Sequence, residues 1–139
     1  MNNILYIVWS DNNNIGIPII DEQHRGIIST INSLHYFIQT GHGDEIIKPT
    51  MIILEQYVDI HFKTEEALMK KANYPDIKDH IVMHKKLVEK TKNLSIYASS
   101  NNDSNIILKF LKEWWLGHIN KEDVKYAPFL KKLLDSKSF

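Results

Sequence analysis

The chain has 139 residues, with Lys plus Arg balancing Asp plus Glu at 17 each and a hydrophobic fraction of 43%. That length suits one domain, expected over residues 1–139, and the balanced charge argues against a nucleic-acid or anionic-membrane partner. There is no cysteine, which excludes disulfides and thiolate metal sites, and 5 Gly with 4 Pro are too few for the turns of an all-β fold.

Residues 1–17 predict an irregular arm, with a turn cluster at Asp11-Asn12-Asn13-Asn14 and Gly16 just before Pro18. Its apolar run Ile4–Trp9 lacks a basic flank and is too short for a signal-peptide core or a membrane span, so a soluble, cytoplasmic protein is expected. Helix A follows from Pro18 to Gln39, with Ile20, Ile27, Ile31, Leu34 and Ile38 recurring at helical spacings and Thr40-Gly41-His42-Gly43 closing it. Helix B runs to Lys71. Pro49 belongs in a first turn, which favours a start near Lys48. After the breaker Asn73-Tyr74-Pro75-Asp76, helix C spans about 76–97, with Ile77, Ile81, His84, Leu87, Val88 and Leu94 along one face. A polar loop over 99–104 precedes helix D, about 105–126, which Pro128 ends or kinks before a short helical piece at 129–134. Four helices of similar length joined by short loops predict an all-α, up-down-up-down antiparallel four-helix bundle over residues 18–134.

The candidate ligands converge on that frame. His24 lies early in helix A, His61 and Glu65 late in B, His80 and His84 early in C, and His118 and Asp123 late in D. With antiparallel helices, these positions share one end of the bundle and one layer. His61 with Glu65, and His80 with His84, are i,i+4 pairs that stack on one face, roughly 6 Å apart along the axis. His118 and Asp123 are five apart, which on an α-helix separates them by roughly 140°. Glu122 has the better spacing, and spacing alone leaves the choice open.

Five imidazoles and two carboxylates exceed what a four-coordinate structural zinc needs and suit two six-coordinate irons with bridging carboxylates. The carboxylate-rich di-iron bundles use Glu-x-x-His, a pattern this sequence lacks. Mostly neutral donors should favour the lower oxidation states, and so holding dioxygen rather than splitting it. Asp21 suits either a hydrogen bond to His24 or the first turn of its helix. His35, about 16 Å further along the axis, reads as a boundary histidine and His42 as a solvated one. Glu22 and Glu66 read as surface charges, Trp9, Trp114 and Tyr126 as packing residues, and Lys85-Lys86 and Lys131-Lys132 as solvated faces.

Over essentially its whole length the sequence resembles the hemerythrin family, specifically its single-domain bacterial members. The matching stretches are Trp9, Ile15-Gly16-Ile17, Ile20-Asp21-Glu22-Gln23-His24, His61-Phe62-Lys63-Thr64-Glu65-Glu66, Tyr74-Pro75 and His80-Ile81-Val82-Met83-His84. They continue through Trp114, His118-Ile119, Asp123 and Lys125-Tyr126-Ala127-Pro128-Phe129-Leu130. The resemblance implies two Fe ions per chain, ferrous without oxygen and ferric in the oxy and met forms, with an oxo or hydroxo bridge. His80, His84 and His118 would hold one iron, His24 and His61 the other, and Glu65 and Asp123 would bridge them, which selects Asp123 over Glu122. Dioxygen would bind reversibly at the open position of the two-histidine iron, behind a wall of Ile27, Phe62, Trp114, Trp115 and Ile119. Family members commonly carry Leu where this chain has Trp115, a ring that would either tighten the pocket or block it.

The implied role is that of a non-enzymatic dioxygen carrier, store or local supplier, a monomer that also takes small anions in its ferric form. The other readings are a sensor of oxygen, nitric oxide or redox state, a peroxidase- or oxidase-like di-iron enzyme, and an iron store. An iron store needs more metal than one dinuclear site holds, and for an enzyme the sequence offers no positioned general acid or base.

Overall fold

The computed structural model of the protein describes residues 5–101 and 103–135, apart from the side chains of Ile119 and Asn120. Five α-helical segments account for most of them: α1 (Pro18–Gln39), α2 (Gly43–Lys71), α3 (Ile77–Ser100), α4 (Ser104–Gly117) and α5 (Asp123–Asp135). A single π-helical turn, His118–Glu122, joins α4 to α5, so the two form one continuous rod. Helices successive in sequence lie side by side, and α4 closes the ring against α1, which gives the expected four-helix bundle.

The arm is tied down rather than loose. Asn32 of α1 accepts a hydrogen bond from the Ile7 N–H at 2.8 Å and donates one to the Ile7 carbonyl at 2.9 Å. A 3-10 turn at Asp11–Asn13 then reverses the chain, and Gly16 with φ of +85° lets it swing into α1. α1 has the expected bounds, with Pro18 in its first turn and the buried stripe Ile20, His24, Ile27, Ile31, Leu34.

Three boundaries differ from the sequence reading. α2 starts at Gly43, not near Lys48, and runs through Pro49. α5 likewise runs through Pro128, so the expected separate C-terminal piece is the end of the fourth helix. Each proline forfeits the bond to the carbonyl four residues earlier, that of Glu45 or Val124. All four residues are exposed, so water can satisfy the freed carbonyls, while continuing the helix buries Ile47 in one case and Leu130 in the other. α3 reaches Ser100, which shortens the expected polar loop.

The core is in two parts. The larger runs along the bundle through Ile27, Ile31, Leu34, Met51, Leu54, Val58, Phe62, Ile107, Leu111 and Trp115. The smaller closes one end, where Ile15, Ile17, Ile20, Met69, Tyr74, Tyr126, Ala127 and Leu130 meet. Between them lies a polar layer.

Candidate metal centre

That layer holds all seven candidate ligands. Along α1, His24 falls between Ile20 of the end core and Ile27 of the main core. Along α2, His61 and Glu65 fall between Val58 and Met69, and along the fourth rod His118 and Asp123 fall between Trp115 and Tyr126. His24, His61, Glu65 and Asp123 are 0% exposed, and His80, His84 and His118 are at most 5% exposed.

The π turn explains how His118 and Asp123 come together. The Asp123 N–H donates to the His118 carbonyl, an i→i+5 bond that adds one residue to the turn. A residue five positions on therefore returns to the same face. Asp123 Oδ1 lies 3.0 Å from His118 Nε2, while Glu122 is turned outward and pairs with Lys125 at 3.1 Å.

The ligand atoms form two overlapping groups. Glu65, His80, His84 and His118 make one and His24, His61, Glu65 and Asp123 the other, with the atoms of each group within 4.8 Å of one another. Glu65 belongs to both. Its Oε1 is 2.7 Å from His61 Nε2 and 3.7 Å from His84 Nε2, and its Oε2 is 3.8 Å from His80 Nε2. Asp123 also reaches both ways, with Oδ2 2.7 Å from His24 Nε2 and Oδ1 3.7 Å from His80 Nε2.

Among the described residues, both oxygens of Glu65 and of Asp123, and the Nε2 atoms of His80, His84 and His118, are buried without a hydrogen-bond partner despite these short distances. The atoms are close but not aligned to hydrogen-bond one another. Each unpaired buried polar atom costs about 1–3 kcal/mol, so the layer gains stability from anything that satisfies them. A pair of cations would do so, and five imidazoles with two carboxylates are a donor set that suits iron.

Electrostatics without a cation show the same mutual dependence. Burial alone would raise the Glu65 carboxyl, but the imidazoles crowded around it, His61 foremost, hold it well below the usual carboxylate range. Burial opposes protonation of His118 as well, yet Asp123 and Glu65 raise it to about 10. His84 is lowered to about 3, first by burial, against the pull of Glu65.

The outward nitrogens of two ligands are held in place. His61 Nδ1 is 2.9 Å from Gln23 Oε1, and the Gln23 amide is oriented by its own donation to Thr64 Oγ1 at 3.1 Å. His84 Nδ1 is 2.7 Å from Glu66 Oε2. Because both partners accept, the Nδ1 atoms carry the protons and the Nε2 lone pairs are free to face inward.

Glu66 is therefore not the surface charge expected from sequence. Its side chain is 29% exposed and backs a ligand, because α2 turns it toward α3 beside Glu65. Asp21 does not reach His24. It accepts the N–H groups of Ile15 at 2.8 Å and Gly16 at 3.1 Å and so closes the arm onto α1. Tyr126 and Trp9 also prove to border the layer, with rings 5.5 Å from His80 and 6.3 Å from His24. Burial, then the charges of Glu65 and Asp123, push the Tyr126 phenol well above its ordinary value. Helical spacing marks Tyr126 only as a core position, and nothing in one dimension separates Glu66 from a solvated glutamate. His35 stacks on Tyr6 with centroids 4.6 Å apart, and His42 is exposed, as expected.

An apolar wall stands on the main-core side. Phe62 stacks flat on His84, with centroids 3.7 Å apart and planes 4° apart, and Trp114 meets Phe62 edge-on. Trp115 is fully buried, 6.4 Å from His61, 6.2 Å from His118 and 6.1 Å from Phe62. Ile27 belongs to the same core cluster, while the Ile119 side chain lies outside the described residues. A surface cavity of about 390 Å³ opens between α2 and α3, with Phe62, Glu66 and His84 in its lining.

Comparison with known proteins gives one consistent result. Residues 15–130 match the family described as hemerythrin HHE cation binding domain. The bacteriohemerythrin of Stenotrophomonas maltophilia is 32% identical over 126 residues, which covers 90% of this chain and 82% of that one. The bacteriohemerythrin of Methylococcus capsulatus is 34% identical over 119 residues, covering 84% and 88%. A crystal structure of a wild-type hemerythrin superposes with a TM-score of 0.78 at 31% identity, covering 90% of this chain and 98% of the other.

Proposed function

This chain belongs to the hemerythrin family, and from that premise we propose that it binds dioxygen reversibly at two irons held in the buried layer. In this reading His80, His84 and His118 ligate one iron, His24 and His61 the other, and Glu65 and Asp123 bridge them. The observation that carries it is the sharing of Glu65 between two overlapping four-residue groups, which a single cation would not require. When bound, the iron pair supplies the electrons that hold dioxygen and recovers them when it leaves.

The chain's own residues do the rest. Gln23 and Glu66 fix the tautomers of His61 and His84, so their inward nitrogens stay free of protons. Phe62, Trp114, Trp115 and Ile27 keep the main-core side apolar, which disfavours the water and anions that would strand ferric iron. The ring of Trp115 sits across both groups, so it narrows access to the His61 side. A carrier, store or local supplier fits this arrangement better than an enzyme. The cavity that reaches His84 meets the stacked Phe62 rather than an open substrate cleft.

The test is an optical spectrum of the anaerobic ferrous protein before oxygen, after oxygen, and after its removal. A colourless sample that gains a visible band and bleaches on deoxygenation supports the proposal. One-way conversion to a yellow ferric form sinks the carrier reading and moves redox sensing or peroxidase-like turnover to the front.

A further inference from the structure

The two halves of the buried layer are backed by different chemistry. His84, in the group with Glu65, His80 and His118, donates its Nδ1 proton to the carboxylate of Glu66 at 2.7 Å. His61, in the group with His24 and Asp123, donates to the neutral amide oxygen of Gln23 at 2.9 Å. A hydrogen bond to an ionised acceptor is roughly twice as strong as one to a neutral acceptor, and it gives the imidazole part of an imidazolate's negative charge. His24 Nδ1 and His118 Nδ1 are buried without partners among the described residues, so neither evens out the difference.

We infer that Glu66 and Gln23 are positioning residues that make the two metal positions electronically unequal, so that the three-histidine metal backed by Glu66 is the more easily oxidised. The inference rests on the two-iron reading above. Glu66 sits at the rim of the cavity between α2 and α3, with its side chain 29% exposed and its Oε2 turned onto His84 Nδ1. Gln23 is placed to stay oriented, because its amide donates to Thr64, whose hydroxyl in turn donates to the Ile60 carbonyl at 2.8 Å. A carboxylate at one imidazole and an amide at the other therefore bias which metal gives up its electron first, before any exogenous ligand arrives.

Three variants test this in the iron-loaded protein: Glu66→Gln, Gln23→Glu, and the two together. Each preserves a hydrogen-bond acceptor at the same imidazole; Gln23→Glu also gives up the amide donation to Thr64, which the hydroxyl of Thr64 can replace by donating to the new carboxylate. An anaerobic redox titration should give a higher first midpoint potential for Glu66→Gln and a lower one for Gln23→Glu. A tenfold shift in the oxidation equilibrium is about 59 mV for a one-electron step. The double variant should return the potential toward wild type but change the paramagnetic spectrum of the half-oxidised protein, because the ferric ion has moved to the other position. Zinc affinity of the metal-free protein, read by chelator competition, should fall about tenfold in Glu66→Gln and not in Gln23→Glu. Potentials that stay put, or that shift the same way in both single variants while two metals still bind, overturn the inference and leave the two-metal site intact. A wild-type chain that takes up no metal pair overturns the site and the inference together.

Discussion

Trp115 offers the sharpest test of how the site is walled. It is fully buried against Phe62, Trp114, His61 and His118, and its indole N–H has no partner among the described residues. Two opposing quantities set the cost of Trp115→Ala. Removing a buried Trp ring costs about 3–5 kcal/mol in transfer and cavity terms, and deleting the orphaned N–H returns about 1–3 kcal/mol. The net expectation is a loss of ~2 kcal/mol in the metal-free protein, measured by urea denaturation. Trp115→Phe keeps an aromatic ring and loses the N–H, so it should stay within about 1 kcal/mol of wild type. In the iron-loaded protein, Trp115→Ala opens space beside His61. Azide binding to the ferric form and autoxidation of the oxygenated form should then both speed up by at least roughly tenfold, equivalent to about 1.4 kcal/mol of barrier. If Trp115→Phe proves as costly as Trp115→Ala, the indole N–H is not an orphan. Unchanged azide and autoxidation rates in the alanine variant would show that access does not pass this ring.

Asp123→Ala should abolish uptake of the metal pair, whereas Glu122→Ala should bind a full complement and stay within ~0.5 kcal/mol of wild type, as metal analysis and thermal melts would show. Metal affinity should rise with pH across the neutral range, because His118 holds a proton up to about 10 that the metal must displace, and proton release on titration reports it. In the metal-free protein, the stability from His118 is complete below its unfolded value near 6.5 and is lost as pH rises through about 10. His84 acts oppositely, since its folded value is lowered to about 3. Its contribution is present above about 6.5 and is lost as acid approaches 3, joined at lower pH by that of Glu65, so urea midpoints should peak near pH 6.5 and fall on either side. Asp21→Ala strips two charge-assisted hydrogen bonds from the arm and should cost about 2–3 kcal/mol with metal content unchanged, a pattern opposite to that of a ligand.

Much of this was legible in one dimension because histidine spacing and helix order interlock. The i,i+4 pairs at His61–Glu65 and His80–His84 need only an α-helix, and the antiparallel order brings all four helices' candidates to one layer. What stayed hidden depended on departures from ideal geometry or on neighbours across helices. Asp123 becomes a plausible ligand through a π turn that helical spacing does not anticipate. Pro49 and Pro128 read as boundaries, since only the folded chain reveals that the carbonyls they free lie on exposed turns. The roles of Glu66 and Asp21 depend on which way a carboxylate turns, toward α3 in one case and back to the arm in the other.

The division of the core has a mechanical consequence. Two unequal hydrophobic bodies are joined across a plate of polar side chains, and that plate holds together only when its inward-facing atoms are satisfied. The end body is small: eight buried side chains drawn from the arm, the start of α1, the end of α2, the turn after it, and α5. A metal pair held in the plate would act as a fastener between the two, so that removing it should loosen the end body before the long one. On that division the far end of the bundle, with His35 and the α1–α2 turn, should respond least to metal removal.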